Sequence, residues 1–407
     1  MSYTYTDKVK FAYTPNFDAF GRLRTSDPFT LFDSSNRYWD NGRFTTSTTG
    51  TASATFNANQ GLIDLTVGTA NGDQVLRETT RVFAYQPGKS LLVMNTFVMS
   101  PQKTNLRQRI GYFGTDNGIY VELDGSTTYM VERSIVTGSV VNTRVAQANW
   151  NVDPMDGTGP SGRTLDLSKA QIFFLDIEWL GLGSVRTGFV IDGEFFVCHI
   201  FHHANFITST YITTAILPIR YEITNIGITT GSSTLKQICS TVLSEGGYEL
   251  RGNPGSISTP ITTAYSMAVA GTYYPIVSMR LKSAYLDGIV VPTGIALLPN
   301  SAGNYSYRII IGGTTTGGAW VSAGANSTLE YNITGTSFAG GNIAQSGFFA
   351  QTNQASSNIE LSRDDLFRFQ LERNSFTSTP LEFTLCVTSN GAGDSVFGSI
   401  DWQEITR

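Results

Sequence analysis

The sequence of 407 residues predicts an all-β protein with two β-sandwich domains of jelly-roll or lectin-like type behind an extended N-terminal arm. Apolar and polar residues alternate with a period of two in many short segments, which is typical of strands with one buried face. Turn dipeptides that tolerate positive φ angles lie between these segments. Helical periodicity is scarce, and the 41 glycines fit the turns of a chain with many short strands.

The alternating segments run through most of the chain. They lie at residues 62–68, 91–98, 119–123, 128–136, 172–180, 185–191, 194–201, 219–228, 305–311, 366–372 and 381–388. The turn dipeptides between them are Asn117-Gly118, Asp124-Gly125, Asp192-Gly193 and Asp287-Gly288. Residues 233–243 fit either a short helix or a strand, and residues 361–365 fit a capped single turn. The Gly- and Thr-rich runs 312–318 and 335–341 are expected to be loops.

A change in composition near residues 251–260 predicts a domain boundary. Two prolines and two glycines interrupt both periodicities there, and strand patterns resume on each side. We therefore expect an arm at 1–40, a β-sandwich at 41–250, a linker at 251–260 and a smaller sandwich at 261–407. Within the first sandwich, residues 172–201 predict a three-stranded meander that resembles the central strands of lectin-like or laminin-G-like jelly rolls.

The composition argues against several classes of protein. A net charge of -5 without a basic run does not suit a nucleic-acid partner, because phosphates must be neutralised by clustered Lys and Arg. No stretch approaches the roughly 18 apolar residues that a membrane helix needs. Cys198, Cys239 and Cys386 are widely spaced in apolar runs, which predicts buried thiols rather than disulfides. The first residues lack a signal region, so we expect synthesis in a reducing cytoplasm.

The first forty residues carry little alternation and indicate an extended arm with aromatic rings spaced along a polar chain. Such an arm cannot bury its rings by itself, so they must lie against its own domain, a neighbouring subunit or a socket on a partner. The rings in question are Tyr3, Tyr5, Phe11, Tyr13, Phe17, Phe20, Phe29 and Phe32.

One segment of the arm, FDAFGRLRTSDPFTLFDS at residues 17–34, resembles a motif near the start of many virion structural proteins of tailed bacteriophages. The similarity is greatest to proteins of aquatic and cyanobacterial phages, and it continues loosely through the first domain. The resemblance implies a component of the phage particle that decorates the head, rings the neck or belongs to the tail.

The residues of this segment support a role in assembly. Arginine side chains can bind carboxylates or carbonyls through two donors, and a proline holds the preceding residue extended. Docking of the arm on its own domain is the alternative. We predict assembly contacts at Phe17, Phe20, Arg22, Arg24, Pro28, Phe29 and Phe32.

The histidines and carboxylates predict neither a metal site nor a catalytic site. His199, His202 and His203 follow one another closely, but on a strand they face different ways or lie about 13 Å apart. The carboxylates considered for a glycosidase pair fit turns and a solvated strand face instead. They are Asp116, Glu122, Asp124, Asp153, Asp156, Asp176 and Glu178. Asp153 and Asp156 lack the spacing of a dedicated calcium loop.

Two tryptophans are candidates for stacking on a sugar ring. Trp150 lies beside the polar loop 153–162, and Trp320 lies in a Gly-rich segment. A tryptophan in the core is the alternative for each.

Together these observations predict a bacteriophage virion structural protein, a head or neck decoration or a fibre-like appendage that assembles through its N-terminal arm. We expect no enzyme activity and no cofactor. The expected partners are other virion proteins and further copies of the chain, most plausibly as a trimer, because closed assemblies hide strand edges. The alternatives are a tail-associated protein that binds a host surface glycan and a glycan-degrading enzyme. The chain would be made in the host cytoplasm and end in the virion.

Overall fold

The computed structural model describes residues 27–246, 252–351, 358–359 and 369–406, and it confirms the all-β prediction. Within these ranges no helix is long and apolar enough to cross a membrane. A short 3-10 turn occupies Gln147–Asn149. The strands are β1 (Pro28–Ser35), β2 (Phe44–Thr49), β3 (Ser53–Asn57), β4 (Leu62–Val67), β5 (Gln74–Thr79), β6 (Ser90–Val98), β7 (Leu106–Phe113), β8 (Gly118–Asp124), β9 (Thr127–Ser134), β10 (Val141–Ala146), β11 (Gln171–Glu178), β12 (Val185–Ile191), β13 (Glu194–Phe201), β14 (Ile219–Asn225), β15 (Ser233–Glu245), β16 (Asn253–Ser258), β17 (Tyr265–Ser266), β18 (Tyr274–Leu281), β19 (Ile289–Pro299), β20 (Gly303–Thr316), β21 (Val321–Ser322), β22 (Leu329–Asn332), β23 (Ser337–Gln351), β24 (Asn358–Ile359), β25 (Glu382–Ser389) and β26 (Ser395–Thr406).

The first sandwich consists of two antiparallel sheets around one core. An eight-stranded sheet has the order β13-β12-β11-β6-β15-β4-β3, with β1 also paired to β15. A seven-stranded sheet has the order β10-β9-β8-β7-β14-β5-β2. Alternate residues of both sheets point inward and bury a continuous apolar cluster that extends from Phe32 to Val242. This alternation is what the sequence pattern of these strands predicts.

Strand β15 is long enough to hold two partners on one edge. β6 occupies its other edge, while β4 pairs with Ser233–Gln237 and β1 pairs with Cys239–Glu245. β1 therefore lies in line with β4 along the same edge of β15. Its first residue, Pro28, lies opposite Glu245. The segment 233–243, which fits a helix or a strand by sequence, is a strand because its inward residues complete the core between the sheets.

The second sandwich is built in the same way from shorter sheets. A five-stranded sheet has the order β16-β26-β19-β24, with β17 on β26, and a six-stranded sheet has the order β21-β22-β18-β25-β20-β23. Their inward residues form a second apolar cluster that extends from Met267 to Trp402.

A seam of polar contacts joins the two sandwiches. Arg81 forms an ion pair with Glu372, and the Ser375 hydroxyl donates to the carbonyl of Thr79. The side chain of Leu31 packs against both apolar clusters. The sandwiches thus share side-chain and backbone contacts in addition to the chain that connects them.

Two of the predicted segments, the arm and the linker, differ from the structure. Residues 28–35 of the predicted arm form β1 in the first sandwich, and residues 253–258 of the predicted linker form β16 in the second. β16 pairs only with β26 among the described strands, and a sheet edge tolerates the missing N–H of Pro254. The predicted turn at 361–365 lies outside the described residues, and the predicted strand at 366–372 lies partly outside them.

The two Gly- and Thr-rich runs expected to be loops belong instead to a long hairpin. β20 includes Gly312–Thr316, and β23 includes the run from Ser337 to Gly341. Most side chains of β23 are exposed, including Phe348 at 89% and Ile343 at 54%. β23 is therefore held by backbone pairing to β20 rather than by burial, and no alternation is needed in its sequence.

Candidate functional site: a groove beside the N-terminal strand

The second half of the phage-like motif forms β1, and its side chains have different environments. Phe32 is only 4% exposed, with its ring centroid 4.9 Å from that of Phe83 and 6.0 Å from that of Phe44. Phe32 therefore anchors β1 in its own core, and its assignment as an assembly contact is wrong for this reason. Phe29 is half-buried and Pro28 is exposed. The remaining predicted contacts, Phe17, Phe20, Arg22 and Arg24, lie outside the described residues.

Pro28 lies at the margin of a groove on the outward face of the eight-stranded sheet. The groove encloses about 410 Å³ and extends across β1, β15, β6, β11, β12 and β13. Its apolar residues are outward-facing because their neighbours in sequence fill the core. They are Leu92, Phe174, Phe195, Val197 and Leu243. Phe195 is 53% exposed and packs edge-on against Phe174, with the ring centroids 5.0 Å apart.

A second depression of about 360 Å³ continues the groove along the same strands. Met94, Ile172 and Thr241 line it, each two residues along its strand from a residue of the first depression. Cys239 also lines this depression and is half-buried, because it lies on the outward face and not in the core. Its prediction as a buried thiol is therefore wrong, whereas Cys198 and Cys386 are buried. The outward face is thus apolar over the width of several strands.

Charged groups border the groove at both sides. Asp176 forms an ion pair with Arg186, and the carboxylate of Glu245 lies at the β1 side. Burial raises the pKa of Asp176, and the guanidinium of Arg186 opposes this effect. Two carboxylates and one guanidinium leave the groove with a formal charge of -1. This arrangement can accept an apolar ligand that carries cationic groups.

The two tryptophans predicted as glycan contacts differ in exposure. Trp150 is 5% exposed and its indole N–H donates to the carbonyl of Val145 at 3.1 Å, so its ring belongs to the core and not to a binding surface. Trp320 is half-buried, and the Arg280 guanidinium covers one ring face at 3.9 Å from the centroid.

An exposed aromatic pair that the sequence analysis did not single out lies just after β1. Tyr38 and Trp39 are 68% and 69% exposed, with ring centroids 5.8 Å apart. The Arg37 guanidinium lies 5.2 Å from the Tyr38 ring centroid. The polar, turn-rich sequence SSNRYWDNG around these rings is the signal that could have placed them in an exposed turn.

The outward face of the seven-stranded sheet holds two of the predicted carboxylate candidates, Glu122 and Asp124, in ion pairs. Arg109 donates to Glu122 at 2.6 Å and to Glu222 at 3.2 Å, and Arg144 donates to Asp124 at 2.7 Å. Tyr120 lies under Arg109, with the guanidinium 5.5 Å from its ring centroid. These carboxylates are engaged by guanidinium groups within the sheet and are not presented as a pair to a ligand.

The loop considered for calcium is closed by its own backbone. Asp153 accepts hydrogen bonds from the N–H groups of Met155 at 2.8 Å and Ser161 at 2.9 Å. Burial raises the pKa of this carboxyl, but the hydrogen bonds from Ser161 and Met155 outweigh burial and lower the pKa overall. Asp153 thus has a structural role that shapes the loop.

The three histidines lie in separate environments. His199 is 7% exposed and its Nδ1 accepts the N–H of Asn151 at 3.3 Å, whereas His202 is exposed. His203 stacks on Tyr211 at 3.9 Å between centroids and contacts Glu132 at 2.7 Å. Within the described part of the chain, no three His, Cys, Asp or Glu side chains are grouped so that they could hold a metal ion.

Comparisons with solved structures find matches of low similarity to this chain. A GH16 protein of a mixed linkage glucan PUL from Bacteroides ovatus is 10% identical, with a TM-score of 0.35, and the match covers 52% of this chain and 99% of that chain. A legume lectin-like domain from Entamoeba histolytica is 10% identical, with a TM-score of 0.31 and coverages of 51% and 95%. A glycoside hydrolase family protein from Mycobacterium thermorestibile is 8% identical, with a TM-score of 0.36 and coverages of 52% and 99%.

Likenesses of this extent support no statement about fold or activity. No protein-family model matches the sequence. No curated protein matches it at a significant level.

Proposed function

We propose that this protein is a structural component of a bacteriophage particle, a head or neck decoration or a fibre-like appendage, and that it assembles through its N-terminal segment. The observation that carries the proposal is the position of β1. The second half of the phage-like motif forms a strand of the first sandwich, and Pro28, the first residue of that strand, lies at the border of an apolar groove.

The contacts of β1 attach this strand to the first sandwich along its whole length. β1 is paired with β15 from Pro28 to Ser35, and the carbonyl of Asp27 accepts the N–H of Gly246 at 2.8 Å. Phe32 adds a buried ring at the centre of the strand. A segment that binds a neighbour would therefore be attached to a rigid sheet and not to a loop.

The long hairpin of the second sandwich supports a homo-oligomer, and we propose a trimer. Within the described residues β23 pairs only with β20, so its other edge carries backbone groups that can pair with another chain. Ile343 and Phe348 add exposed apolar surface along the same strand. Light scattering after size exclusion tests this proposal: three chains of 44.2 kDa give a mass of 132.6 kDa, and a stable monomer would contradict it.

The proposed function is tested on purified particles of the phage that encodes the chain. We expect mass spectrometry to detect the wild-type chain in gradient-purified particles, and we expect the double variant Phe17→Ala/Phe20→Ala to be lost from them. The double variant Tyr3→Ala/Tyr5→Ala, which changes two rings outside the motif, is the matched control and should be retained. Absence of the wild-type chain from intact particles would refute the proposal.

A second candidate function is the binding of a host surface glycan, and the exposed pair Tyr38 and Trp39 favours it. Two adjacent rings that are largely exposed can stack on sugar rings, as buried rings cannot. Glycan-array binding by the full chain should be lost in Trp39→Ala and retained in Phe348→Ala, which removes an exposed ring of the second sandwich. An array without any signal from the folded wild-type chain would remove this candidate.

A further inference from the structure

We propose that the apolar groove on the eight-stranded sheet is the binding site for residues 17–24 of a neighbouring copy of this chain. This inference rests on the proposed assembly function and names the socket and its occupant. The segment 17–24, FDAFGRLR, combines two phenylalanines and a leucine with two arginines and one aspartate. Its chemistry is that of an apolar ligand with a net positive charge.

The size of the groove fits an extended segment of this length. From β1 to β13 the sheet crosses five strand spacings, or about 24 Å at 4.8 Å each. Eight extended residues reach about 26 Å at 3.3 Å per residue. The half-buried Leu92 and Leu243 and the 53% exposed Phe195 offer apolar surface that a phenylalanine or leucine side chain would cover.

The charges of groove and segment are opposite. Asp176, Glu245 and Arg186 give the groove a formal charge of -1, and Asp18, Arg22 and Arg24 give the segment a charge of +1. A guanidinium of the segment would meet Glu245 at the rim or Asp176 inside the groove. Such charge-assisted hydrogen bonds orient the segment, while the apolar contacts provide most of the attraction.

The direction in which the chain enters β1 favours a neighbour over the same chain. Asp27 is bonded to Gly246 beyond the last sheet pair, and Pro28 favours an extended conformation at Asp27. Asp27 therefore prolongs the direction of β1 beyond the last sheet pair. To reach Asp176, about 14 Å away across three strand spacings, Arg24 of the same chain would have to reverse direction within two residues.

Photocrosslinking of the full-length chain tests the proposal. A benzophenone amino acid replaces Phe20, and light should produce covalent species of 88.4 kDa or more, since two chains of 44.2 kDa are joined. Mass spectrometry should then find the crosslink in a tryptic peptide that carries groove residues, residues 90–103 with Leu92 or residues 237–251 with Leu243. The same photoreactive group in place of the exposed Phe348 is the control and should not label these peptides.

A groove variant provides the second readout. Leu92→Asp places a carboxylate on the apolar floor and should reduce the crosslinking yield about tenfold. The matched control is Leu298→Asp, at a 45% exposed leucine of the second sandwich, which should leave the yield unchanged. Circular dichroism confirms that both variants are folded.

The outcomes separate the two proposals. Crosslinks between chains at the groove peptides support the assignment, whereas crosslinks within one chain, or at other surfaces, overturn it. Detection of the chain in particles together with crosslinks elsewhere would leave the virion function standing and refute the groove. Groove crosslinks by a chain that is absent from particles would support the groove assignment and refute the virion function.

Discussion

Arg77 is the side chain whose removal should damage the first sandwich most. It is 1% exposed and lies between the two sheets, where its Nε donates to Gln237 at 2.6 Å and its guanidinium donates to Thr46 at 2.7 Å. A third bond, to Asp40 at 2.7 Å, adds little because that carboxylate is 41% exposed. Hydrogen bonds from a buried charge contribute about 1.5–3 kcal/mol each, so Arg77→Met should lower the free energy of unfolding by about 4 kcal/mol.

Calorimetry of the full chain measures this loss. For a sandwich of this size, about 4 kcal/mol corresponds to a fall in Tm of about 8–16 °C. Adding Gln237→Leu to Arg77→Met should recover about 1–3 kcal/mol, because the buried amide left without its partner is then removed. Arg163→Met, which breaks an exposed ion pair with Asp192, is the matched control and should cost less than about 1 kcal/mol. A similar Tm for both single variants would refute the reasoning.

Three further predictions concern pH, packing and the seam between the sandwiches. Burial and the charge of His202 lower the pKa of His199 to about 4, so the unfolded chain takes up a proton from about pH 6.5 downward while the folded chain does not. Stability should therefore fall by about 3 kcal/mol from pH 7 to pH 4, and chemical unfolding of His199→Gln should show a smaller fall. Trp150→Ala should cost about 3–5 kcal/mol in calorimetry, as expected for a core ring; a cost below about 1 kcal/mol would contradict its burial. Arg81→Met should separate the melting transitions of the two sandwiches, because Glu372 loses its ion pair across the seam; an unchanged single transition would contradict this role.

Much of the fold could be predicted because burial on one face imposes a period of two. β6 and β11 show this alternation clearly, since their inward residues fill the core between the sheets. The hairpin between β12 and β13 could also be predicted, because its turn depends only on neighbouring residues. Asp192 and Gly193 adopt the positive φ angles, 55° and 82°, that an Asp-Gly turn favours.

Some of the strands that the pattern missed have two faces that are alike. In β7 nearly all residues on both faces are buried, so alternation in burial is lost. In β23 most side chains on both faces are exposed. Backbone pairing holds such strands, and a single sequence carries little trace of that pairing.

The candidate site was harder to predict than the fold for a similar reason. The exposure of Trp39 and the burial of Trp150 depend on strands far away in sequence, whereas their local surroundings are both polar. The groove combines residues of six strands, and no short motif connects Pro28 with Phe195. The phage-like motif includes β1, but only the register of β1 separates Phe32 in the core from Pro28 at the groove.

The pairing of β1 with β15 also determines how the protein would respond to tension. The N-terminal segment joins β1 at Pro28, and the chain toward the second sandwich leaves β15 at Glu245, directly opposite. A pull between these two points loads the bonds one after another, as in opening a zipper, rather than all at once in shear. The β1 pairing would therefore resist little force by itself. The seam at Arg81 and Glu372 and the packing of Leu31 against both cores would bear the load instead.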